Sequence, residues 1–321
     1  MSPGARLDVT GILLVIATVA WFLLAPGGSG AVEAIGTLAL VAGGYVMGFG
    51  AARLVWPLLP AALVVIVAGV ALEGLTDPRG PLGYGNANGI YFALAAVAAL
   101  MLWTRAPRHL FGLVALFLAL TFGLIPLTTD ARASAAMFVL AAVAGVVGLL
   151  GRARTVLVAS AGAFLVILTA TIVLGTMYSG GSTRIGEALT ERRLQLWHEA
   201  LAIVAEHPLA GAGFGSFEEL SATARSDRDA RWAHNEFLQV GAEAGVPGLL
   251  LLIGLFVWGF ARLSVEPASV RNALAGVALA ATGIAASVDY VLHFAAVPLS
   301  AAVLLGAGVA PERKPRRPIT G

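Results

Sequence analysis

The sequence predicts an all-α polytopic membrane protein with about ten transmembrane helices and one extracytoplasmic helical loop. Of its 321 residues, 59% are hydrophobic and only 12% are charged, which is the balance of a multi-span membrane protein and not of a soluble domain. Apolar runs near the length that crosses a hydrocarbon layer of about 30 Å recur along the chain. One long polar segment, residues 180–248, interrupts them. We therefore expect a membrane bundle that carries one water-exposed region.

Ten apolar runs define the predicted spans, and only the turn around Leu292 separates the last two. They cover residues 11–25, 31–51, 54–72, 89–104, 110–127, 133–150, 155–177, 246–261, 272–292 and 294–310. They divide the chain into an N-terminal membrane bundle of about seven spans, an extracytoplasmic loop, about three C-terminal spans and a basic cytoplasmic tail. These parts are residues 1–177, 178–246, 247–310 and 311–321.

The charges of the connections predict the side that each one faces. With the N-terminus inside, the inside connections carry twelve basic side chains against three acidic ones, Asp8, Glu266 and Glu312. The basic ones are Arg6, Arg53, Arg105, Arg108, Arg152, Arg154, Arg262, Arg271, Arg313, Lys314, Arg316 and Arg317. The other eight basic side chains and the other fifteen acids lie in the outside connections or near the outer ends of the spans. Because cytoplasmic loops are enriched in Lys and Arg, this order places the polar segment outside a cytoplasmic (inner) membrane.

The residue content disfavours several chemistries. The chain has no cysteine, which excludes a disulfide framework and thiol catalysis. Its five histidines are scattered, with neither an HExxH motif nor a His/Cys cluster, so we expect no metal site. The glycines at 211, 213 and 215 lack a preceding strand and the spacing of a nucleotide loop, and they predict a tight turn after a helix that ends at His207. We expect no cofactor and no nucleic-acid partner.

Two shorter outside loops contain candidate binding residues. In residues 73–88, Asn88 is either part of a capped turn or a group at the mouth of a substrate cavity. In the loop at 128–134, Arg132 falls in the first turn of a predicted helix, where a cation opposes the helix dipole. An anion bound at the same N–H groups would explain this position. The alternatives are a pair with Asp130 or a snorkelling side chain.

Helical period within the polar segment separates two adjacent arginines. Residues 187–206 predict an amphipathic helix whose apolar stripe consists of Leu189, Leu196, Trp197, Ala200, Ile203 and Val204. Arg193 falls near the centre of this stripe, whereas Arg192 lies at its polar edge. A guanidinium on a buried face is a candidate functional group unless an acid such as Glu73, Asp77 or Asp130 pairs with it.

A second amphipathic helix is predicted to start at His234. Phe237, Leu238, Gly241 and Ala244 share the side of His234, while Asn235, Glu236, Gln239 and Glu243 point away. A histidine on an apolar face is either a core residue or a catalytic one, and spacing alone leaves both open.

The residues of the polar segment resemble the O-antigen ligase and polymerase (Wzy-C) superfamily. Its ligases carry His, then Asn, Ser or Gln, nine residues and GxxG, a pattern that fits His234, Asn235, residues 236–244, Gly245 and Gly248. The family's R-x3-L motif fits at Arg192, whereas the RLxxW form of the same segment aligns to Arg193. Upstream, GYGNAN at 83–88 resembles a Gly-Asn-Pro-Asn segment with Ala87 in place of proline, and DARAS at 130–134 resembles a Ser-Arg-Gly element. The resemblance covers roughly residues 75–255.

The resemblance implies a GT-C-like glycosyltransferase that takes a glycan from undecaprenyl pyrophosphate and attaches it to an acceptor outside the cytoplasmic membrane. In that picture Arg132 and Arg193 bind the pyrophosphate and His234 deprotonates the acceptor hydroxyl, with inversion at the anomeric carbon and no metal. Arg192, Asn88 and Asn235 are further substrate-binding candidates. Expected partners are the lipid-linked glycan, a lipid, glycan or protein acceptor, and membrane lipids.

Three functions remain open at this point. The first is a ligase that joins the glycan to a lipid or protein, and the second is a polymerase that joins lipid-linked repeat units to one another. Both use the same donor. The third is a transporter or flippase of a lipid-linked anion, which would need ionisable residues along a midplane path, whereas those of this chain cluster at one membrane face.

Overall fold

The computed structural model describes residues 1–27, 29–54, 61–64, 66, 81–104, 110–124, 143, 146–179, 191–226 and 230–311, and these residues form helices joined by turns. The helices are α1 (Pro3–Leu24), α2 (Ser29–Leu54), α3 (Gly85–Trp103), α4 (Leu110–Leu124), α5 (Ala153–Met177), α6 (Glu191–Glu206), α7 (Phe217–Leu220), α8 (Ala222–Ser226), α9 (Glu236–Ser264), α10 (Val270–Val288) and α11 (Ala296–Val309). A π-helical turn, Gly148–Arg152, precedes α5, and a 3₁₀ turn, Val291–His293, joins α10 to α11.

Six helices of the described chain are long and apolar enough to cross a membrane: α1, α2, α3, the stretch Gly148–Met177, α9 and α10. They confirm a polytopic membrane protein. The helices α4 and α11 are shorter, at 15 and 14 residues. Most of the predicted spans at 54–72 and 133–150 lies outside the described residues, as does nearly all of the basic tail. The number of ten spans therefore stays a prediction.

The helices divide into central and peripheral ones. Nearly all of α3 and α10 is buried inside the bundle. By contrast, α1, α2 and α5 expose large apolar side chains such as Ile12, Val32 and Val158, each at least 60% exposed. A contiguous apolar surface of this kind needs a nonpolar surrounding, and a lipid bilayer provides it.

The peripheral helices are attached by close contacts to the C-terminal half. The indole N–H of Trp258 on α9 donates to the carbonyl oxygen of Leu7 on α1 (2.6 Å). On α2, a Cβ at Gly48 would lie 2.2 Å from the carbonyl oxygen of Val303 on α11. Such backbone approach through glycine is the usual way in which membrane helices gain packing contacts.

Charged side chains mark one end of the bundle. Buried Arg262 on α9 donates to Asp8 on α1 (2.7 Å) and to Glu266 (2.5 Å), and Arg154 contacts the carbonyl oxygen of Ser264. These residues belong to the predicted inside connections. The start of α9 and the end of α1 lie at the opposite end, where the candidate site residues are found.

Candidate active site

Arg193 lies on the face of α6 that packs against the bundle. Leu196, Trp197 and Ala200, from the predicted apolar stripe, are fully buried beneath it. Nη2 of Arg193 donates to Oδ2 of Asp289 (3.1 Å), and its side chain is 27% exposed. Arg192 is an exposed residue. The two arginines therefore occupy different environments, and Arg193 is the more buried of the two, as the helical period predicts.

His234 precedes α9 in a backbone conformation that is rare for a residue other than glycine. Its φ is 48°, in the left-handed region where Asn, Asp and His are the most tolerated side chains. Its carbonyl oxygen accepts the indole N–H of Trp197 (3.1 Å), so α6 holds this backbone directly. The sequence pattern predicted that this helix starts at His234, and this was wrong. The helix begins at Glu236, because Asn235 occupies the cap position.

Asn235 is a fully buried structural residue. Its Oδ1 accepts the N–H of Leu238 (3.1 Å), which caps α9, and its Nδ2 donates to Oγ1 of Thr171 on α5 (3.1 Å). Both ends of the side-chain amide are thus bonded within the protein. A substrate contact by Asn235 stays a prediction, and the geometry gives it the role of fixing the segment that carries His234.

Asp289 joins the two candidate residues, although the sequence analysis did not single it out. It follows the last residue of α10 and its side chain is only 3% exposed. Oδ1 lies 3.0 Å from Nδ1 of His234 and also accepts the backbone N–H of Tyr290 (2.9 Å). Oδ2 accepts Nη2 of Arg193. The signal that could have found it is an ionisable residue inside an apolar run, the predicted span at 272–292.

The first turn of α3 and the residue before it supply further donors to the same carboxylate. The hydroxyl of Tyr84 donates to Asp289 (2.8 Å to Oδ2), and Nδ2 of Asn86 also contacts Oδ2. The Tyr84 ring stacks on Tyr290 with centroids 4.7 Å apart. Oδ1 of buried Asn88 accepts the N–H of Leu82 (2.8 Å), so Asn88 holds the preceding turn, whereas the cap residue of α3 is Tyr84, which makes no side-chain cap hydrogen bond. Asn88 therefore shapes the turn that presents Tyr84 and Asn86.

The charge on Asp289 determines the tautomer of His234. Burial by itself would raise the pKa of Asp289, but the hydrogen bond and charge of His234, the charge of Arg193 and the N–H of Tyr290 outweigh it and lower the pKa below its ordinary value. The carboxylate is then ionised and acts only as an acceptor, so Nδ1 of His234 donates to it. In the neutral imidazole the lone pair then lies on Nε2, and this tautomer can take up a proton there.

A second imidazole–carboxylate pair connects α9 to the turn after Asp289. Oε1 of Glu236 accepts the N–H groups of Leu292 (2.8 Å) and His293 (3.1 Å) and lies 2.9 Å from Nδ1 of His293. Burial would lower the pKa of His293, but the charge of Glu236 outweighs burial and raises this pKa to about 9. Glu236 thus holds the segment that carries Asp289 against the segment that carries His234.

The predicted polar face of α9 is not exposed. Glu236, Gln239 and Glu243, which the helical pattern places away from the side of His234, are all at most 5% exposed. The reason is that their polar groups form hydrogen bonds within the protein. Oε1 of Gln239 accepts the N–H of Ala233 (2.8 Å), and Nε2 of Gln239 donates to Glu243 (2.6 Å).

The glycine-rich run at 209–217 replaces helical hydrogen bonds that α9 loses at a kink. Gly245 has φ 71° and ψ −179°, and Pro247 has no N–H, so the carbonyls before the kink lack their usual donors. The N–H of Ala212 donates to Ala242 (2.8 Å) and that of Gly213 to Glu243 (2.9 Å). The indole N–H of Trp21 donates to Ala244 (2.8 Å). The run is the tight turn that the sequence predicted, with Gly211, Gly213 and Gly215 all at positive φ.

The remaining candidates are placed as follows. Arg132 lies outside the described residues, as do Glu73, Asp77 and Asp130. Burial and the charge of Asp289 raise the pKa of Tyr290, and exposed Arg231, which the sequence analysis counted only as a charge, opposes this rise. Within the described ranges, no three His, Asp or Glu side chains come together as metal ligands.

Comparison with known families identifies the chain. No curated protein matches it. A family model described as O-antigen ligase (Wzy_C) matches residues 82–253, which is more than half of the chain. The matched region contains Tyr84, Arg193 and His234, and Asp289 lies beyond its end. This protein therefore belongs to the O-antigen ligase (Wzy_C) family.

Proposed function

We propose that this protein is a glycosyltransferase that moves a glycan from undecaprenyl pyrophosphate to an acceptor hydroxyl at the extracytoplasmic face of the membrane. The observation that carries the proposal is that one buried carboxylate, Asp289, contacts both the imidazole of His234 and the guanidinium of Arg193. The proposed base, His234, and the proposed anion-binding group, Arg193, are thus held side by side. The membership of the chain in the O-antigen ligase family supports glycan transfer.

His234 is the proposed general base. Its Nε2 takes the proton of the acceptor hydroxyl while the hydroxyl oxygen attacks the anomeric carbon of the glycan. Asp289 keeps Nδ1 protonated and stabilises the imidazolium that forms. The bond from the anomeric carbon to the pyrophosphate oxygen breaks on the opposite face, which inverts the configuration and releases the lipid pyrophosphate.

Arg193 is the proposed group for the leaving pyrophosphate. A guanidinium has five N–H donors in a planar fork, and Arg193 needs only Nη2 for Asp289, so its other donors can bind phosphate oxygens. Charge-assisted bonds of this kind stabilise the negative charge that develops on the leaving group. Arg132, and with a smaller effect the exposed Arg192, are proposed to contribute to the same anion site, so that transfer proceeds without a metal ion.

The two family activities, ligase and polymerase, share this donor chemistry. We propose the ligase activity as the first candidate. The same arrangement of His234, Arg193 and Asp289 would also suit a polymerase. A transporter would not need an imidazole whose tautomer is fixed beside an anion-binding arginine.

The test compares His234→Ala with the matched control His198→Ala. His198 is an exposed histidine on α6 whose Nδ1 lies 3.2 Å from the carbonyl oxygen of Gly175. Removal of a general base typically costs about 10² to 10⁴ in rate and leaves ground-state binding largely intact. We expect His234→Ala to bind a lipid-linked glycan in nanodiscs and to transfer it at such a reduced rate, while His198→Ala retains activity.

Two results would contradict the proposal. Full activity of His234→Ala would make the histidine a packing residue. Loss of wild-type activity in EDTA, restored by a divalent ion, would replace the arginine mechanism with a metal-dependent one.

A further inference from the structure

A tall cavity of about 710 Å³ lies between α1 and α2 on one side and α9 and α11 on the other. It reaches from Asp8 and Tyr45 at one end of the bundle to Phe22 and Glu243 at the other. At a rise of 1.5 Å per residue, the part of α1 from Asp8 to Phe22 corresponds to a height of about 21 Å. Its size falls in the usual range of small-molecule sites, and its length is that of a hydrocarbon chain standing across much of a bilayer.

The middle of the cavity is apolar and its ends are polar. Val15, Leu38 and Val41 are among the side chains that line the middle. At the end near Asp289 the lining changes to Trp232, Glu33, Glu236, Gln239, Glu243 and His293. This distribution fits an amphiphile whose chain lies between the helices and whose head group lies at the end beside the candidate active site.

The polar end of the cavity is separated from the proposed base by one aromatic ring. The Trp232 ring packs on His293 with centroids 4.3 Å apart, and Tyr290 lies 6.1 Å from His293. Tyr290 in turn contacts the imidazole of His234 edge to face, at 4.9 Å between centroids. A head group bound at Trp232 and His293 is therefore close to His234, and a sugar or other polyol extending from it can present a hydroxyl to the base.

The charges of this end select against a phosphate. Among the described residues that line the cavity there is no lysine or arginine, whereas the carboxylates of Glu33 and Glu236 line its polar end and His293 is paired with Glu236. A pyrophosphate or phosphate head would face these carboxylates. Arg193, the proposed ligand of the donor pyrophosphate, does not line the cavity.

We propose that this cavity binds the acceptor, and that the acceptor is a membrane lipid with a hydroxyl-bearing head group that has no phosphate next to its chains. The proposal rests on the proposed function and specifies its acceptor, so that the reaction is a ligation to a neutral lipid. The lipid-linked donor then binds on the other side of Asp289, at Arg193.

The test uses photolabelling of the full-length protein in phosphatidylcholine nanodiscs. One probe is a monoglucosyl diacylglycerol with a diazirine in its acyl chain, and the other is a phosphatidic acid with the same chains. We expect the neutral probe to label residues of α1 and α2 that line the cavity at least about tenfold more than the anionic one. Ala42→Trp fills the cavity and should abolish this labelling. Ala39→Trp, an exposed alanine of α2 that does not line the cavity, should retain it.

Val15→Trp blocks the cavity from α1 and keeps the test open if Ala42→Trp does not fold. The proposal is overturned if phosphatidic acid labels the cavity as strongly as the neutral probe, if a diazirine-bearing polyprenyl pyrophosphate labels it instead, or if folded blocking variants label like Ala39→Trp. Labelling does not require transfer, so the activity of His234→Ala tests the proposed function separately.

Discussion

Gly245 and Leu209 approach each other so closely that no side chain fits between them. A Cβ on Gly245 would lie 2.2 Å from the carbonyl oxygen of Leu209, and Gly245 also has a φ of 71°. The first glycine of the GxxG motif is therefore required by the backbone conformation and by the close contact with Leu209. It lets α9 bend away from the segment of His234 while the run at 209–217 packs into the bend.

Gly245→Ala should destabilise the protein by about 1 to 3 kcal/mol or more, because both the steric contact and the left-handed backbone oppose a Cβ. The matched control is Gly254→Ala in the same helix, where a Cβ would meet only an ordinary contact with Leu14. Since alanine favours a helix over glycine, this control should be neutral or stabilising by up to about 1 kcal/mol. Thermal unfolding in detergent measures both. Equal midpoints for the two variants would refute the steric explanation.

Asp289→Asn should reduce the rate of transfer by about 10² to 10⁴, because an amide no longer fixes the tautomer of His234 or stabilises its charged form. We expect a smaller change in donor affinity, since Arg193 remains. Glu218→Gln removes one acidic charge from an exposed position in the polar segment 180–248, away from Asp289 in the sequence, and serves as the control. Kinetics with a lipid-linked glycan distinguish the two. An Asp289→Asn variant as active as the control would remove Asp289 from the mechanism.

Arg193→Ala should abolish transfer and weaken donor binding, whereas Arg192→Ala, at the exposed neighbouring position, should retain measurable activity. Arg193→Lys should also fail, because an ammonium cannot contact Asp289 and a phosphate with the same planar geometry. Donor binding and transfer are measured for all three variants. The opposite ranking of the two alanine variants would mean that the literal R-x3-L alignment marks the functional arginine.

The stability of the protein should fall as the pH rises from about 6.5 toward 9. The pKa of His293 is raised to about 9 by Glu236, against burial. A group whose pKa is higher in the folded state contributes stability below its unfolded pKa and loses that contribution as the pH passes its folded pKa. Unfolding midpoints at pH 6, 8 and 9.5 test this. In Glu236→Gln this part of the decline should be absent, and an unchanged pH dependence in that variant would contradict the assignment.

The orientation of the bundle can be measured with a matched pair of cysteines, because the chain contains none. Ser226→Cys lies in the loop predicted to be outside, and Ser264→Cys lies at the opposite end, near Arg154 and Arg262. Both serines are exposed. An impermeant maleimide should label Ser226→Cys in intact cells and Ser264→Cys only after permeabilisation. The reverse result would place the candidate site on the cytoplasmic side.

Periodicity and length predicted the parts of this structure that depend on local sequence. The helix α6, its buried stripe and the different environments of Arg192 and Arg193 follow from a repeat of 3.6 residues, which the sequence displays directly. The turn at 209–217 follows from its glycines. The start of α9 was placed at His234 because the pattern of apolar residues does not show which residue forms the cap.

The polar contacts within the site could not be predicted in the same way. Asp289 and His234 lie far apart in the sequence. The residues around an aspartate inside an apolar run do not indicate which side chain it will contact. For the same reason Glu236, Gln239 and Glu243 look like a solvated helix face. Only the packing of the 289–293 segment and the 209–217 run against α9 shows that they are buried.

The position of Asp289, just after α10, also decides which part of the chain is needed to assemble the candidate site. The family match ends at residue 253, and Asp289 follows the helix beyond it, while Trp21, which supports the bend at Ala244, precedes the match. A fragment limited to residues 82–253 would keep the arginine and histidine motifs but would lose the carboxylate that joins them. A transplant of this candidate site would therefore need the terminal helices along with the recognisable motif region.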